Sequence, residues 1–308
     1  MTVIDTLIRD FNFSDAEKAR KRMQRYIKMY PENDLHQYAQ KIKREEEIEL
    51  TKIQLRKELR SYPIKSKYLL EESCKIVNDD RFAEEFLNGQ RDLFDKLISY
   101  LNGNRLFKLY NNDFRKVKIA DNSVDVIVTD PPYPQKFLLL YRDLALFAEK
   151  VLKPGGSLFT MAGQSYLPEI MNLMNIPGLN YNWTLCYLTP GGQSPQLWQR
   201  KVNTFWKPVL WYVKGKSSRW LGDVVKSDVN DNDKSHHFWG QSLSGMSDLI
   251  KRVSRPGETV LDPFMGGGTT GAVCLLALRN FIGIEIDKEA FITAEKRLKE
   301  INRRITKS

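Results

Sequence analysis

One segment predicts both the class of the fold and the position of its ligand site. It reads Val124-Asp125-Val126-Ile127-Val128-Thr129-Asp130-Pro131-Pro132-Tyr133. Its first six residues form a largely β-branched run that is typical of a buried strand in a parallel sheet. The two prolines fix φ and lack an N–H, so the chain leaves the sheet after Asp130. We therefore expect Asp130 and Tyr133 at the carboxyl edge of the sheet, where open α/β sheets bind their ligands.

The last four residues of this stretch have the chemistry of a clamp for a heteroaromatic amine. The carboxylate of Asp130 and the free carbonyl of Pro131 can accept the two hydrogens of one exocyclic amino group. Tyr133 can stack on the ring that carries that group. A strand end capped by Asp, with prolines closing a turn, would give the same four residues, so this motif alone leaves both interpretations open.

A second motif begins at Thr259 and reads T-V-L-D-P-F-M-G-G-G-T-T-G. It predicts a strand, a glycine loop and a helix that begins near Thr269 or Thr270. Glycines let a backbone approach a ligand closely, and the first N–H groups of a helix can bind a carboxylate. Asp262 is a candidate partner for an α-ammonium group, and Glu285, at the end of the next predicted strand, can accept from both hydroxyls of a ribose.

The glycines of this loop also fit a different class of site. Gly266, Gly268 and Gly271 satisfy the pattern G-x-G-x-x-G, which makes a nicotinamide-dependent oxidoreductase the natural alternative. The pattern is weak when it stands alone. The loop has no Lys at its end, which excludes a P-loop.

Together the two motifs resemble those of the S-adenosylmethionine-dependent amino-methyltransferases of DNA, which modify N6 of adenine or N4 of cytosine. That family carries (D/N/S)-P-P-(Y/F) and a D-P-F-x-G-x-G loop. The order of the motifs here resembles the β-class-like members, in which the cofactor strands come last. The resemblance implies a Rossmann-like methyltransferase fold of class α/β, with a mostly parallel seven-stranded sheet and an antiparallel hairpin. It also implies S-adenosylmethionine as cofactor and double-stranded DNA as partner, with the target base flipped out of the helix.

The resemblance implies roles for individual residues of both motifs and of two neighbouring segments. The catalytic residues would be Asp130, Pro131, Pro132 and Tyr133. The cofactor-binding residues would be Asp113, Phe114, Gln241, Ser242, Asp262, Pro263, Phe264, Gly266, Gly268, Thr269, Thr270, Glu285 and Ile286. No metal is expected, because the sulfonium methyl group is already activated.

Asp at the first position of the clamp favours adenine over cytosine as the target base. An N4-cytosine enzyme and an RNA amino-methyltransferase remain alternatives, because both would use the same clamp. Methylation at cytosine C5 would need a cysteine, typically after a proline. The three cysteines, Cys74, Cys186 and Cys274, follow Ser, Leu and Val, which argues against that chemistry.

Cysteine usage and hydropathy suggest where the chain works. The scattered cysteines form no C-x-x-C, so they predict neither a disulfide framework nor a zinc site and fit a reducing, cytoplasmic setting. No apolar run approaches the roughly 20 residues of a membrane span. The first residues lack the basic-then-apolar layout of a secretory signal.

The distribution of charge predicts contact with nucleic acid. The net charge is +10, and from Ile170 to Gly222 there is no Asp or Glu, although five of the six tryptophans fall there. Cations without competing acids, interleaved with aromatics, suit phosphate contact and base stacking. We expect Trp183 and Trp211 in the sheet core and a DNA-recognition region within 189–235. The predicted DNA-binding residues are Trp198, Arg200, Lys201, Lys207, Lys216 and Arg219.

Residues 1–105 predict a separate helical domain ahead of the catalytic domain, 106–308. Capping residues and prolines predict helices from about 15 to 30, from about 34 to 62, from 66 to 77 and from 80 to 102. Acids and bases nearly balance in this domain, which is typical of solvated helix faces. For this domain, a role in packing or dimerisation is favoured over direct contact with DNA. A homodimer and a partner restriction enzyme are both expected as alternatives for the protein's partners.

Overall fold

The computed structural model describes residues 2–188, 190, 196–228 and 243–307 of the 308-residue chain. The chain divides into two compact units. The first comprises Met1–Lys65 and Leu70–Asp95, and the second comprises Ser66–Leu69 and Lys96–Ser308. The division therefore falls near residue 95, ten residues before the predicted boundary at 105.

Six helices precede the sheet. They are α1 (Val3–Phe11), α2 (Ala16–Met29), α3 (Leu35–Leu59), α4 (Lys67–Val77), α5 (Asp80–Leu87) and α6 (Asp92–Leu101). Asp15 and Asp34 cap α2 and α3 by accepting from backbone N–H groups of the first turn, as expected at helix starts. The predicted helix 80–102 is two helices, because Gly89 takes a φ of +95° directly after α5 and interrupts the run.

The second unit is built on an eight-stranded sheet. Its strands are β1 (Phe107–Asn111), β2 (Val124–Thr129), β3 (Leu152–Met161), β4 (Leu179–Leu188), β7 (Trp206–Lys214), β8 (Val224–Lys226), β9 (Thr259–Asp262) and β10 (Asn280–Glu285). Two short strands, β5 (Gln196–Leu197) and β6 (Val202–Asn203), pair with each other outside this sheet. The order in the sheet is β1-β10-β9-β2-β3-β7-β4-β8.

The pairing of the strands confirms the predicted fold class. Neighbouring strands in the series β1, β10, β9, β2 and β3 are parallel to each other. In contrast, β7 runs antiparallel to both of its neighbours, β3 and β4. The eighth strand, β8, was not predicted. It has only three residues and is defined by its parallel pairing with β4 rather than by any apolar run of its own.

Helices cover the two faces of the sheet. They are α7 (Leu139–Val151), α8 (Leu167–Met174), α9 (Leu243–Val253), α10 (Thr269–Leu276) and α11 (Lys288–Lys307). Val126 and Val128 of β2 belong to the apolar cluster of α9, α10 and α11, whereas Ile127 belongs to the cluster of α7 and α8. Because successive side chains of a strand point to opposite faces, the apolar residues of β2 pack into a core on each side of the sheet, and all six of its residues are buried.

Strands β2 and β9 lie side by side in the middle of the sheet. Val126 is opposite Val260, and near the start of the two strands Oδ2 of Asp125 accepts from the N–H of Thr259 at 2.9 Å. Lys153 balances the charge of that buried carboxylate, with Nζ 2.7 Å from Oδ1. Parallel strands in register end at the same edge, so the two motif loops leave the sheet next to each other.

The two tryptophans assigned to the sheet core behave differently. Trp211 is 6% exposed and donates its indole N–H to Oγ of Ser157 at 3.1 Å. Trp183 is 54% exposed and donates to Oδ2 of Asp223 at 3.2 Å. The core prediction is therefore wrong for Trp183, because residues 180–183 of β4 are all exposed and β8 pairs only with Cys186–Leu188.

Within the part of the chain that the structure describes, no helix is long and apolar enough to cross a membrane. In the same ranges, no group of three or more His, Cys, Asp and Glu residues is placed to hold a metal ion. The thiols of Cys74, Cys186 and Cys274 are free, and burial raises the pKa of Cys274 well above its ordinary value.

Gly271 allows close packing of α10 against β10 and α11. A Cβ at this position would lie 2.5 Å from Cε1 of Phe281 and 2.8 Å from Cδ1 of Leu298, and both side chains are fully buried. We expect Gly271→Ala to lower the free energy of unfolding by about 1–3 kcal/mol, measured by urea denaturation. The matched control is Gly222→Ala, whose Cβ would meet only the flexible Nη1 of Arg252 at 3.4 Å. Equal losses in the two variants would contradict this account.

Candidate active site

The carboxyl edge of the sheet brings the two motifs together. Thr129, the last residue of β2, donates its hydroxyl to Oδ1 of Asp262, the last residue of β9, at 2.7 Å. Both side chains are buried, and the two residues are 133 positions apart in the chain. Asp130 follows Thr129 directly, so the amine clamp and the glycine loop start from one shared hydrogen bond.

Asp130 and Tyr133 contact each other in the clamp. The hydroxyl of Tyr133 donates to Oδ1 of Asp130. The base of the tyrosine side chain packs on Gly163, where an added Cβ would lie 3.3 Å from Cβ of Tyr133. Burial, and then the charge of Asp130, raise the pKa of Tyr133 well above its ordinary value. The phenol therefore keeps its proton at neutral pH and acts as a donor to Asp130.

Lys207 lies at the clamp as well. Its Nζ is 3.6 Å from Oδ2 of Asp130 and 5.6 Å from the centroid of the Tyr133 ring. Because β7 runs antiparallel to β3, its first residues lie at the edge where the parallel strands end. Composition predicted a phosphate contact for Lys207, and nothing in its sequence neighbourhood indicated a carboxylate partner in the clamp.

The side chain of Glu285 binds the backbone of the glycine loop. Gly266 and Gly268 have φ values of +49° and +80°, which side chains with a Cβ rarely adopt. Oε2 of Glu285 accepts from the N–H of Gly266 at 2.8 Å, and Oε1 accepts from the N–H of Asp287 at 2.8 Å. A Cβ at Gly268 would meet Ala294 at 3.1 Å, whereas a Cβ at Gly266 would meet nothing within 4 Å. The loop is thus packed on one side and leaves room beside Gly266.

Asp262 is a buried carboxylate at the start of this loop. Burial raises its pKa to about 6, against the lowering effect of hydrogen bonds from Thr129, Thr270 and the N–H of Phe264. The Phe264 N–H donates to Oδ1 at 3.1 Å. A carboxylate that is desolvated to this degree gains from a cationic ligand, which would favour its ionised form.

The turn after β1 also joins the glycine loop. The N–H of Asn112 donates to the carbonyl of Glu285 at 3.0 Å. Phe114 is 3% exposed, and its ring centroid lies 5.1 Å from that of Phe264. Ile286, 67% exposed, follows Glu285 at the same edge. Four strand ends therefore contribute predicted site residues to one region.

Asp113 in this turn already has a partner. Arg115 binds its carboxylate, with Nη2 2.5 Å from Oδ2, and holds the pKa of Asp113 below its ordinary value. The same guanidinium reaches Oδ2 of Asp143 at 3.1 Å. Asp113 is therefore fixed and ionised at the site edge.

The remaining predicted cofactor residues have the following positions. Pro263 and Thr270 are buried. Thr269 accepts at 3.5 Å from Nη1 of Arg297, a residue of α11 that sequence analysis did not single out. Gln241 and Ser242 lie outside the described residues.

Three further predicted DNA-binding residues follow β5, and Arg200 connects this segment to the edge of the sheet that carries the clamp. Trp198 is 81% exposed, and Arg200 and Lys201 are exposed beside it between β5 and β6. Nη2 of Arg200 donates to the carbonyl of Ser165, which follows β3 at the site edge, at 3.1 Å. Phe205, 69% exposed, adds a second large aromatic surface. Of the predicted recognition region, 189, 191–195 and 229–235 lie outside the described residues.

Lys216 and Arg219 are placed differently from the prediction. They follow the end of β7, which antiparallel pairing puts at the edge opposite the clamp. Arg219 pairs with Glu258 at 3.0 Å, and the two side chains are only 12% and 8% exposed. Arg219 therefore neutralises a buried carboxylate, and contact of either residue with DNA stays a prediction.

Comparison with known proteins gives three kinds of similarity. A family model described as "DNA methylase" of the N6/N4 type matches residues 243–296. The type II methyltransferase M.BglII of Bacillus subtilis is 25% identical over 256 residues, which cover 64% of this chain and 70% of that protein. The crystal structure of the M1.HpyAVI–SAM complex aligns with a TM-score of 0.51 and 29% identity, over 63% of this chain and all of the other.

A further solved structure is similar in fold alone. The cytosine-N4-specific PvuII DNA methyltransferase aligns with a TM-score of 0.53 and 17% identity, over 64% of this chain and 92% of the other. The fold of the second unit is therefore the Rossmann-like methyltransferase fold. Because an enzyme specific for cytosine N4 shares it, the fold does not identify the target base.

The bond between Thr129 and Asp262 is open to a direct test. We expect Thr129→Val to lower the free energy of unfolding by about 1–3 kcal/mol, since it leaves a buried carboxylate oxygen without one donor at nearly unchanged side-chain volume. Urea denaturation measures the loss. Thr293→Val is the matched control, because the Thr293 hydroxyl only donates to a carbonyl of its own exposed helix. No difference between the two variants would show that the bond does not hold the strand ends together.

Proposed function

We propose that this chain, a relative of the S-adenosylmethionine-dependent amino-methyltransferases of DNA, methylates the exocyclic N6 of an adenine flipped out of duplex DNA. The observation that carries the proposal is the Thr129–Asp262 hydrogen bond, which sets an amine clamp beside a glycine loop. One motif can bind an amino group and the other a nucleoside with a charged tail. Methyl transfer needs both in the same place.

The residues of the glycine loop and its surroundings suit S-adenosylmethionine. That cofactor, when bound, supplies an electrophilic sulfonium methyl group. Asp262 and the start of α10 would hold the ammonium and carboxylate of its methionine end. Glu285 would bind the ribose of the cofactor, and Ile286 would contact one face of the cofactor's adenine ring. Asp113 and Phe114 would lie near the same ring. The open side of Gly266 provides the space that such a ligand requires.

The clamp residues would act on the amino group of the target base. Its nitrogen lone pair is delocalised into the ring, which makes it a poor nucleophile. Hydrogen bonds from its two N–H groups to Asp130 and to the carbonyl of Pro131 would draw the nitrogen toward tetrahedral geometry. The negative charge of Asp130 would stabilise the positive charge that develops on that nitrogen as its bond to the methyl carbon forms and the bond from that carbon to sulfur breaks. The methylated nitrogen would then lose one proton to solvent. Tyr133 would stack on the flipped base.

Adenine is favoured by the residue at the first clamp position. Asp at this position resembles the adenine-specific members of the family. The exposed rings of Trp198 and Phe205 near the clamp support contact with unstacked bases. Dimerisation through the helical unit and a partner restriction enzyme stay predictions.

Base analysis tests the proposed target. We expect the wild-type protein with labelled S-adenosylmethionine to methylate duplex DNA and the label to appear in N6-methyldeoxyadenosine after digestion to nucleosides. Label in N4-methyldeoxycytidine would overturn the adenine assignment, and label transferred only to RNA would overturn the DNA assignment. Asp130→Ala should lower kcat by at least about a hundredfold and keep cofactor binding. Asp121→Ala, which removes a carboxylate that is 62% exposed, should leave both unchanged.

The raised pKa of Asp262 predicts a pH-dependent cofactor affinity. The free protein has a pKa of about 6 at this carboxyl. Pairing with an ammonium group favours the ionised form, so binding must release the proton when the pH is lower than 6. We expect the Kd for S-adenosylmethionine to rise as the pH falls from 7 to 5, approaching tenfold per unit below 6. Isothermal titration calorimetry measures it, and Asp262→Asn should remove this dependence. A constant Kd over the interval would contradict the pairing.

A further inference from the structure

Lys207 occupies the clamp in a way that resembles the expected substrate. Its ammonium group lies 3.6 Å from Oδ2 of Asp130, the carboxylate assigned to the target amino group. It also lies 5.6 Å from the centroid of the Tyr133 ring, the surface assigned to the target base. Within 6 Å of a ring centroid a cation is attracted by the face of the ring. One side chain thus contacts both groups that the flipped base would use.

We propose that Lys207 is a positioning residue that fills the amine subsite in the absence of DNA and moves to a DNA phosphate when the target base enters. The inference rests on the proposed function, because it takes Asp130 and Tyr133 as the clamp. It goes beyond that function because it assigns Lys207 two partners that it binds one at a time. Asp130 is the partner in the free protein, and a phosphate of the bound strand is the partner in the complex.

Charge requires that Lys207 leaves before methyl transfer. As the N–C bond forms, the target nitrogen becomes positive at the place where the carboxylate of Asp130 can stabilise it. A fixed ammonium group about 4 Å away would repel that charge and compete for the same carboxylate. For two unit charges at an effective dielectric constant of about 20, this repulsion corresponds to a rate loss of roughly a thousandfold. A lysine that stayed in place would therefore oppose the reaction that Asp130 promotes.

The surroundings of Lys207 favour a phosphate as the second partner. The lysine is the second residue of β7, directly after the exposed segment with Trp198, Arg200 and Phe205. Its side chain is 43% exposed, so it has an open path to solvent. From 170 to 222 the sequence contains no acidic residue that would hold it on that side. A flexible four-carbon stem with a point charge allows exchange between two anionic partners.

The test uses one substitution with opposite expected effects on two ligands. In Lys207→Met, deoxyadenosine, which has no phosphate, should inhibit DNA methylation with a Ki lower by roughly threefold to tenfold, the worth of one exposed ion pair and one cation–π contact. For DNA at low salt, kcat/KM should fall by about tenfold, and the slope of log(kcat/KM) against log[salt] should lose about one unit. Lys207→Arg should lie close to the wild-type protein in both measurements.

Controls separate this mechanism from a structural role. Lys150→Met removes a lysine that is 63% exposed on α7 and should change neither measurement. If Lys207 only supported the fold, Lys207→Met would weaken nucleoside and DNA alike. A Ki for deoxyadenosine that is unchanged or higher in Lys207→Met overturns the proposal. The proposal is also overturned if deoxyadenosine inhibits neither the wild-type protein nor the variant. If the wild-type protein does not methylate DNA at all, the proposed function fails first, and that outcome is visible before any variant is compared.

Discussion

The hydrogen bond from Thr129 to Asp262 is the constraint on which the site depends. It joins the last residues of two neighbouring parallel strands in a place that water does not reach. Burial of a carboxylate without hydrogen-bond donors would destabilise the fold. The bond therefore keeps the ends of β2 and β9 next to each other. Everything that follows these residues in the chain, the clamp on one side and the glycine loop on the other, starts from this fixed point.

The two halves of the site are stabilised in different ways. On the loop side, Glu285 accepts from two backbone N–H groups, and Phe114 packs on Phe264, so the loop is held by contacts within the protein. On the clamp side, Asp130 is bound by Tyr133 and approached by Lys207, and both are side chains with other possible partners. We infer that the loop side is organised before any ligand arrives, whereas the clamp side exchanges partners during binding.

Local sequence predicted most of the strands and helices, because apolar runs, capping residues and prolines act over a few residues. What it missed depends on pairing between distant segments. β8 exists through β4, Trp183 is exposed because β4 lies near the sheet edge, and the antiparallel direction of β7 sends Lys207 to the clamp but Arg219 to the opposite edge. The roles of these three side chains were assigned from composition alone, which carries no information about strand direction.

The sheet order has a consequence for the way the chain is assembled. β10 lies between β1 and β9, although it is the last strand to be synthesised. Until it arrives, β1 has no neighbour in the sheet, and its pairing surface is open for more than 160 residues of chain growth. The nascent protein therefore carries an unprotected strand edge that other chains could join.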